Sequence, residues 1–297
     1  MSKIIPQDDF NETEMFRPAA INTGNPLSQY FRMPGCNVQL PTRGAFLPPD
    51  MIELQMDGSV AVYPMKAADE LLLRSPDALM SGYALEKLIE SCVPAIKAPR
   101  RVSSPDLDVI LLAIRAATYG DTMEIEVECP NCKHENLFEC DLSIMLSQMT
   151  FIDPENPLEL SNGLVAYLRP YSMEAATKAA LGSFHEIRKL QSIENEDQKR
   201  MAQSESLSVM SKLNLDGIAD SIAYIKMPNG ALVSDRDHIA QFVHNTSQAH
   251  VKKLQDKLGE INAMGVDKSV DAVCAKCNHE WSPAVDFDPT SFFGQSS

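Results

Sequence analysis

Two Cys-x-x-Cys pairs, Cys129 with Cys132 and Cys274 with Cys277, stand roughly 140 residues apart in a chain of 297. Cysteines at this spacing present two sulfurs from one tight turn. Thiolates suit zinc at about 2.3 Å in a tetrahedron of four. Each pair is flanked by segments that read as strands. MEIEVE (123–128) runs into the first turn and 136–140 leaves it; 270–273 enters the second and 280–285 leaves it. The device occurs twice, as CPNCKHENLFECDL and as CAKCNHEWSPAVDF. Redox exchange is the competing use of Cys-x-x-Cys, in a βαβ setting, and neither pair has that setting. The pattern predicts one structural Zn(2+) held by Cys129, Cys132, Cys274 and Cys277. The expected fold class is α+β: a small β zinc-ribbon-like unit formed by two distant knuckles, with a large helical insertion between them. A site closed by four sulfurs leaves no position for a reactive water.

His134 and His279 each fall two residues after the second cysteine of their knuckle. Four sulfurs need no fifth ligand, so both histidines are expected to be turn residues beside the site. Trp281 is expected to pack against it. Seven cysteines are an odd number, and in a reducing compartment the paired ones favour a metal over disulfides. Of Cys36, Cys92 and Cys140, Cys92 lies in an apolar helical stretch and reads as a buried thiol.

The net charge of −15 and a pI near 4.8 make nucleic acid an unfavourable partner. No run reaches the roughly 20 apolar residues of a membrane span. The start, MSKIIPQDDFNETEMF, lacks the basic and apolar regions of a signal peptide, which points to maturation in cytosol.

Four regions are expected. Residues 1–35 read as an extended arm, either disordered or docking on a neighbour through Phe10, Met15, Phe16, Tyr30, Phe31 and Met33. Residues 36–150 form an α+β region with the first knuckle. Within it, 36–49 reads as loop, and Ile52–Met56 and Val60–Tyr63 read as strands across an Asp57-Gly58 turn. Helices are expected at Lys66–Arg74 and Ser81–Cys92, then from Ser104 to Tyr119, where Gly120 supplies the C-terminal cap. Residues 151–263 read as a mostly helical insertion. It holds a hairpin from Ser172 to about Leu213 turning near 192–197, a helix at 215–225, and helix from Asp235 to Ala263 broken at Asn245-Thr246. Residues 264–297 supply the second knuckle and a tail that completes the β unit.

No catalytic constellation is visible: no G-x-S-x-G, phosphate loop or H-E-x-x-H. His238, His244 and His250 are spaced by six and share no helical face. Glu53, Asp69 and Glu70 have no evident catalytic partner. No enzyme is expected.

Several segments together resemble a known family. They are LPTRGAFLPP (40–49), YPMKAADELLLRSPDALMSGYALEKLIESC (63–92), PDLDVILLAIRAATYGDTMEIEVECPNCKHENLFECDLS (105–143) and CAKCNHEWSPAVDFDPTSFF (274–293). They are similar to the baseplate hub proteins of contractile-tailed, T-even-type bacteriophages, whereas the arm and the helical insertion diverge. The resemblance implies a structural or assembly protein at the centre of a tail baseplate, made in host cytoplasm and then found in the virion. Other phage baseplate and tail proteins would be its partners, with several copies in a symmetric ring. Binding surfaces would be the helical hairpin, the arm, and a tail in which Phe292 and Phe293 either plug a partner's pocket or fold back on their own core. A non-virion assembly chaperone, or an enzyme carrying a structural zinc ribbon, are the alternatives.

Overall fold

Proline, glycine and short polar runs cut this chain into brief elements, so its cores must come from packing between segments far apart in sequence. The computed structural model describes residues 25–193, 195–285, 287, 292 and 293. Residues up to Met33 form one unit and those from Pro34 onward another. In the first, Asn25 caps a short 3-10 turn, Pro26–Tyr30, by accepting from the Leu27 N–H at 2.9 Å. Tyr30, Phe31 and Met33 are exposed. Phe10, Met15 and Phe16 lie outside the described residues.

The second unit is α+β. It opens with β1 (Cys36–Gln39) paired antiparallel to β2 (Ser59–Val62), Val38 opposite Val60. This corrects the sequence reading, which made 36–49 a loop and gave β2 a partner in Ile52–Met56. The Asp57-Gly58 turn is present, with Gly58 at φ 78° and its N–H bonded to the Gln55 carbonyl at 3.0 Å. Within 52–56, however, only Ile52 makes a bridge, to Ile96. Val38 and Leu40 are buried while Leu54 and Met56 stand in solvent, so burial chose the other partner.

Three helices follow, α1 (Ala67–Leu73), α2 (Pro76–Met80) and α3 (Tyr83–Cys92), and then the central helix α4 (Ser104–Tyr119). Ser103 starts α4 by accepting from the Asp106 N–H, and Gly120 ends it at φ 97°. Val109, Ile110, Leu112, Ala113 and Ile114 are fully buried, so α4 is the axis of the first core. The tail closes that core: Phe287, Phe292 and Phe293 pack into it. Arg115 of α4, itself buried, donates to the Phe292 carbonyl and lies over the Phe292 and Tyr119 rings. Of the two readings of Phe292 and Phe293, the structure shows the pair folded back on the chain's own core.

After α4 come the ladder of β3 (Thr122–Glu128) and β4 (Glu135–Asp141), and α5 (Leu142–Ser147). Next are β5 (Asn156–Glu159), β6 (Val165–Leu168), α6 (Met173–Gln191), α7 (Glu196–Asp220), β7 (Ile222–Lys226) and β8 (Leu232–Val233). The chain ends with α8 (Arg236–Asn245), α9 (Gln248–Asn262), β9 (Ala272–Val273) and β10 (Glu280–Trp281). Strands β5-β6-β7-β8 form one antiparallel sheet in that order. Its inner side chains Ala166, Leu168, Ile222 and Ile225 meet Ile239, Val243, Leu254 and Leu258 in a second core. The helix expected at 215–225 therefore ends at Asp220, and IAYIK is a strand. Branched and aromatic residues favour the pleated surface. Arg236 also caps the helix end, donating to the carbonyls of Ala219, Asp220 and Ile222. The break between α8 and α9 falls at Thr246 and Ser247, beside the expected Asn245-Thr246.

One buried tie pins the start of α4 to the 40–44 turn. Asp106 accepts from the Thr42 N–H at 2.9 Å and from the Thr42 hydroxyl at 2.6 Å. Burial pushes this carboxyl above its ordinary value, and the Thr42 bonds pull it only part of the way back. A raised value means that the contribution to stability is complete at low pH and fades as pH rises through the folded value. Asp106→Ala is expected to cost about 2 kcal/mol or more, read by urea unfolding. Asp106→Asn, which can still bond Thr42, should flatten the loss of stability as pH rises above about 4.

Candidate metal centre

The first knuckle hangs from the β3–β4 ladder, in which Glu128 stands opposite Glu135. The second joins β9 to β10, with Val273 opposite Glu280. Their turns have the same backbone. The Cys129 N–H donates to the His134 carbonyl at 2.9 Å and the Lys133 N–H to the Cys129 carbonyl at 3.0 Å. The Cys274 N–H donates to the His279 carbonyl at 2.9 Å and the Asn278 N–H to the Cys274 carbonyl at 3.0 Å. The residue after the second cysteine is left-handed in both, Lys133 at φ 59° and Asn278 at φ 54°. Asparagine tolerates that region better than lysine.

Bonds independent of the cysteines bring the second knuckle to the first. Thr150 and Gly265 bond reciprocally: the Thr150 N–H donates to the Gly265 carbonyl at 2.7 Å, and the Gly265 N–H to Thr150 Oγ1 at 3.1 Å. Lys268 pairs with the largely buried Asp108 of α4 at 2.6 Å. Val266 and Val285, on either side of the knuckle, are buried in the first core. Trp281 of β10 meets Phe138 of β4 edge to face at 5.8 Å, and His279 stacks on Trp281 at 6.1 Å.

The result is a cluster of four sulfurs from remote turns. Cys129 Sγ lies 3.7 Å from Cys277 Sγ, and Cys132 Sγ lies 3.5 Å from Cys274 Sγ. All four sulfurs fall within 4.8 Å of one another. These separations are far longer than an S–S bond of about 2.05 Å, and all seven cysteines are free. They are close to the edge, about 3.8 Å, of a tetrahedron of sulfurs around an ion at 2.3 Å. The donor set therefore fits a thiophilic cation. His134 and His279 are exposed and stand outside the cluster, as turn residues.

The surroundings sort the thiols. Burial raises Cys274, but the backbone N–H groups of Cys277 and Lys276 and the neighbouring sulfurs outweigh it, leaving the thiol at about 6. Cys277 is lowered by the His279 N–H and by the Asn131 amide, 3.6 Å from its sulfur. Cys132 is pushed up to about 12 by burial and by the other three sulfurs, against the His134 N–H. Sulfurs in mutual contact resist becoming anionic together, and a divalent cation removes that conflict.

Two asparagines complete the site and were not anticipated from sequence. Asn136, buried at the base of β4, donates to the His134 carbonyl at 2.8 Å and accepts from the Ala275 N–H at 2.9 Å. It spans both knuckles, as does Asn131. The only sequence signal was a polar residue on the inward side of an alternating strand. Three other polar residues considered from sequence are bonded within the fold, away from the cluster. His244 meets Asp216 at 2.7 Å, and His250 meets Thr246 at 2.7 Å and the Ser161 N–H at 3.2 Å. Asp69 closes the first turn of α1 and accepts from Ser91.

The match with known proteins covers this whole arrangement. A family model described as T4 bacteriophage base plate protein matches residues 54–294, a stretch that includes all four clustered cysteines. The chain belongs to that family. No curated protein and no solved structure matches it. Family membership implies a component of the phage tail base plate, with other tail proteins as partners. No helix among the described residues of this base plate protein is long and apolar enough to cross a membrane.

Asn136→Ala removes the acceptor of the Ala275 N–H and one of the two donors to the His134 carbonyl, which keeps the Cys129 N–H, at the junction of the knuckles. It should lower stability by about 1–3 kcal/mol with all cysteines intact, measured by urea unfolding.

Proposed function

We propose that this chain is a structural subunit of the base plate hub, folded around one zinc ion held by Cys129, Cys132, Cys274 and Cys277, and that it binds other base plate proteins. The family match over residues 54–294 carries the reading. The sulfur cluster supports the metal, because its spacing suits a tetrahedral ion and its thiols are in electrostatic conflict without one. Bound zinc would supply a cross-link and a charge. The residues of the chain orient the sulfurs: backbone N–H groups aim at Cys132, Cys274 and Cys277, and Asn131 and Asn136 tie one turn to the other. The β3–β4 and β9–β10 pairs would then act as one ribbon-like unit, with residues 151–263 as an insertion between its halves.

The pair α6–α7 supports binding to neighbours through its exposed apolar side chains. Met173 is the only buried residue of α6, and Phe184, Ile187, Met201 and Leu207 are exposed along the pair. In this reading several copies stand in a symmetric ring, assembled in host cytoplasm and retained in the tail. Quantitative mass spectrometry of purified virions tests it. Stoichiometric presence is the expected result, and absence from mature particles would make the chain an assembly chaperone instead.

The metal has its own test. About one zinc per chain is expected from elemental analysis of folded protein. Cys129→Ser and Cys277→Ser should each lose the ion and unfold at lower urea, because binding free energy is part of folding free energy. Release should increase as pH falls, since protons compete for the sulfurs. A folded, metal-free sample active in insulin reduction would overturn the structural-zinc reading.

A further inference from the structure

The surface of this chain carries two features that its own fold leaves unmatched. The first is the outer face of the β3–β4 ladder. Strand alternation turns Met123, Ile125 and Cys140 inward and sends Glu124, Glu126, Glu128, Glu135 and Glu139 outward. The register sets Glu124 directly opposite Glu139 and Glu128 directly opposite Glu135. Like charges in such pairs destabilise a ladder. Lys133 answers Glu128 at 2.9 Å and is the only cation paired to this face among the described residues. In the middle of the carboxylates, opposite Glu126, stands Leu137, 63% exposed.

The second feature is one flank of the α6–α7 hairpin. The helices meet through small residues: Ala202 and Ser206 are buried, and Leu213 packs where a Cβ on Gly182 would lie. One flank is closed by the Lys189–Glu205 pair at 3.2 Å. Helical spacing places Arg200, Gln203, Leu207 and Met210 on the other flank of α7, with Phe184 and Ile187 beside them on α6. Leu207 is 69% and Ile187 51% exposed. Arg188, one turn beyond Phe184, and Lys199 and Arg200 make no ion pair among the described residues. The charged residues described at this end of the hairpin beside the flank are Arg188, Lys199 and Arg200, with Asp197 in the first turn of α7.

We infer that the chain associates head to tail with a second copy of itself, the basic apolar flank of the α6–α7 hairpin docking on the acidic outer face of the β3–β4 ladder. Each surface supplies what the other lacks. The cations relieve the opposed glutamates, and Leu137 enters the apolar strip of Ile187, Leu207 and Met210. Because the two surfaces differ, the contact is heterologous, and a rotation that closes yields a ring. Only that closure rests on the base plate reading; the pairing does not.

The test is a charge swap on purified, zinc-loaded full chain, followed by light scattering. Wild type should self-associate at low ionic strength and dissociate toward monomer near 1 M salt. R188E/K199E/R200E should be monomeric, and so should E124K/E139K. Mixing these two variants should restore association, because each presents the surface that the other now fits. Arg188, Arg200, Glu124 and Glu139 are exposed and Lys199 is half-buried, so unchanged zinc content and unfolding midpoint, checked for R188E/R200E beside the triple variant, separate the effect from misfolding. A wild type that stays monomeric at low salt, a variant that associates alone, or a mixture that remains monomeric would each overturn the pairing. Virion mass spectrometry decides the base plate reading separately, so the two fail by different measurements.

Discussion

Four sulfurs meet at one point here only because the chain between them returns on itself. The Thr150–Gly265 bonds, the Lys268–Asp108 pair and the burial of Val266 and Val285 bring the second knuckle to the first without help from the cysteines. The sulfurs then stand 3.5 and 3.7 Å apart, in contact but not bonded. An ion placed there would join two turns that the surrounding cores already hold together. On that view the metal locks a closure made by packing.

The two cores stand differently toward that closure. The first is built around α4 and is completed by residues from the far end of the chain, including Phe287, Phe292 and Phe293. The second lies wholly between the knuckles and is covered by α8 and α9. The family match spans 54–294, which takes in the second core and most of the first. The charge on the surface of this chain is uneven. Carboxylates crowd the outer side of β3–β4, while Arg188, Lys199 and Arg200 of the hairpin make no ion pair among the described residues.

Much of the architecture was legible in local pattern. The helices expected at Lys66–Arg74, Ser81–Cys92 and Ser104–Tyr119, the β3–β4 hairpin and the turn between α6 and α7 follow from periodicity and capping residues, whereas the short α2 between the first two was not anticipated. The misreadings share a cause. CNVQ looks like loop and IAYIK like the end of a helix when only their neighbours are considered. Each becomes a strand because a distant partner accepts it, β2 for the first and β6 for the second. Strand pairing is decided by contacts outside any local window.

The same division holds at the sulfur cluster. Sequence alone determined which side chains were available: two Cys-x-x-Cys turns with similar flanks, chemically suited to one thiophilic ion, and a set of segments characteristic of one family. Only the tertiary structure decided that the turns face each other, that Asn131 and Asn136 bridge them, and that Phe292 and Phe293 belong to this chain's own core. The physical reason is range. Ligand chemistry and helical period are written into neighbouring residues, whereas a contact across more than 100 residues exists only once the loop between has closed and its entropy has been offset by burial.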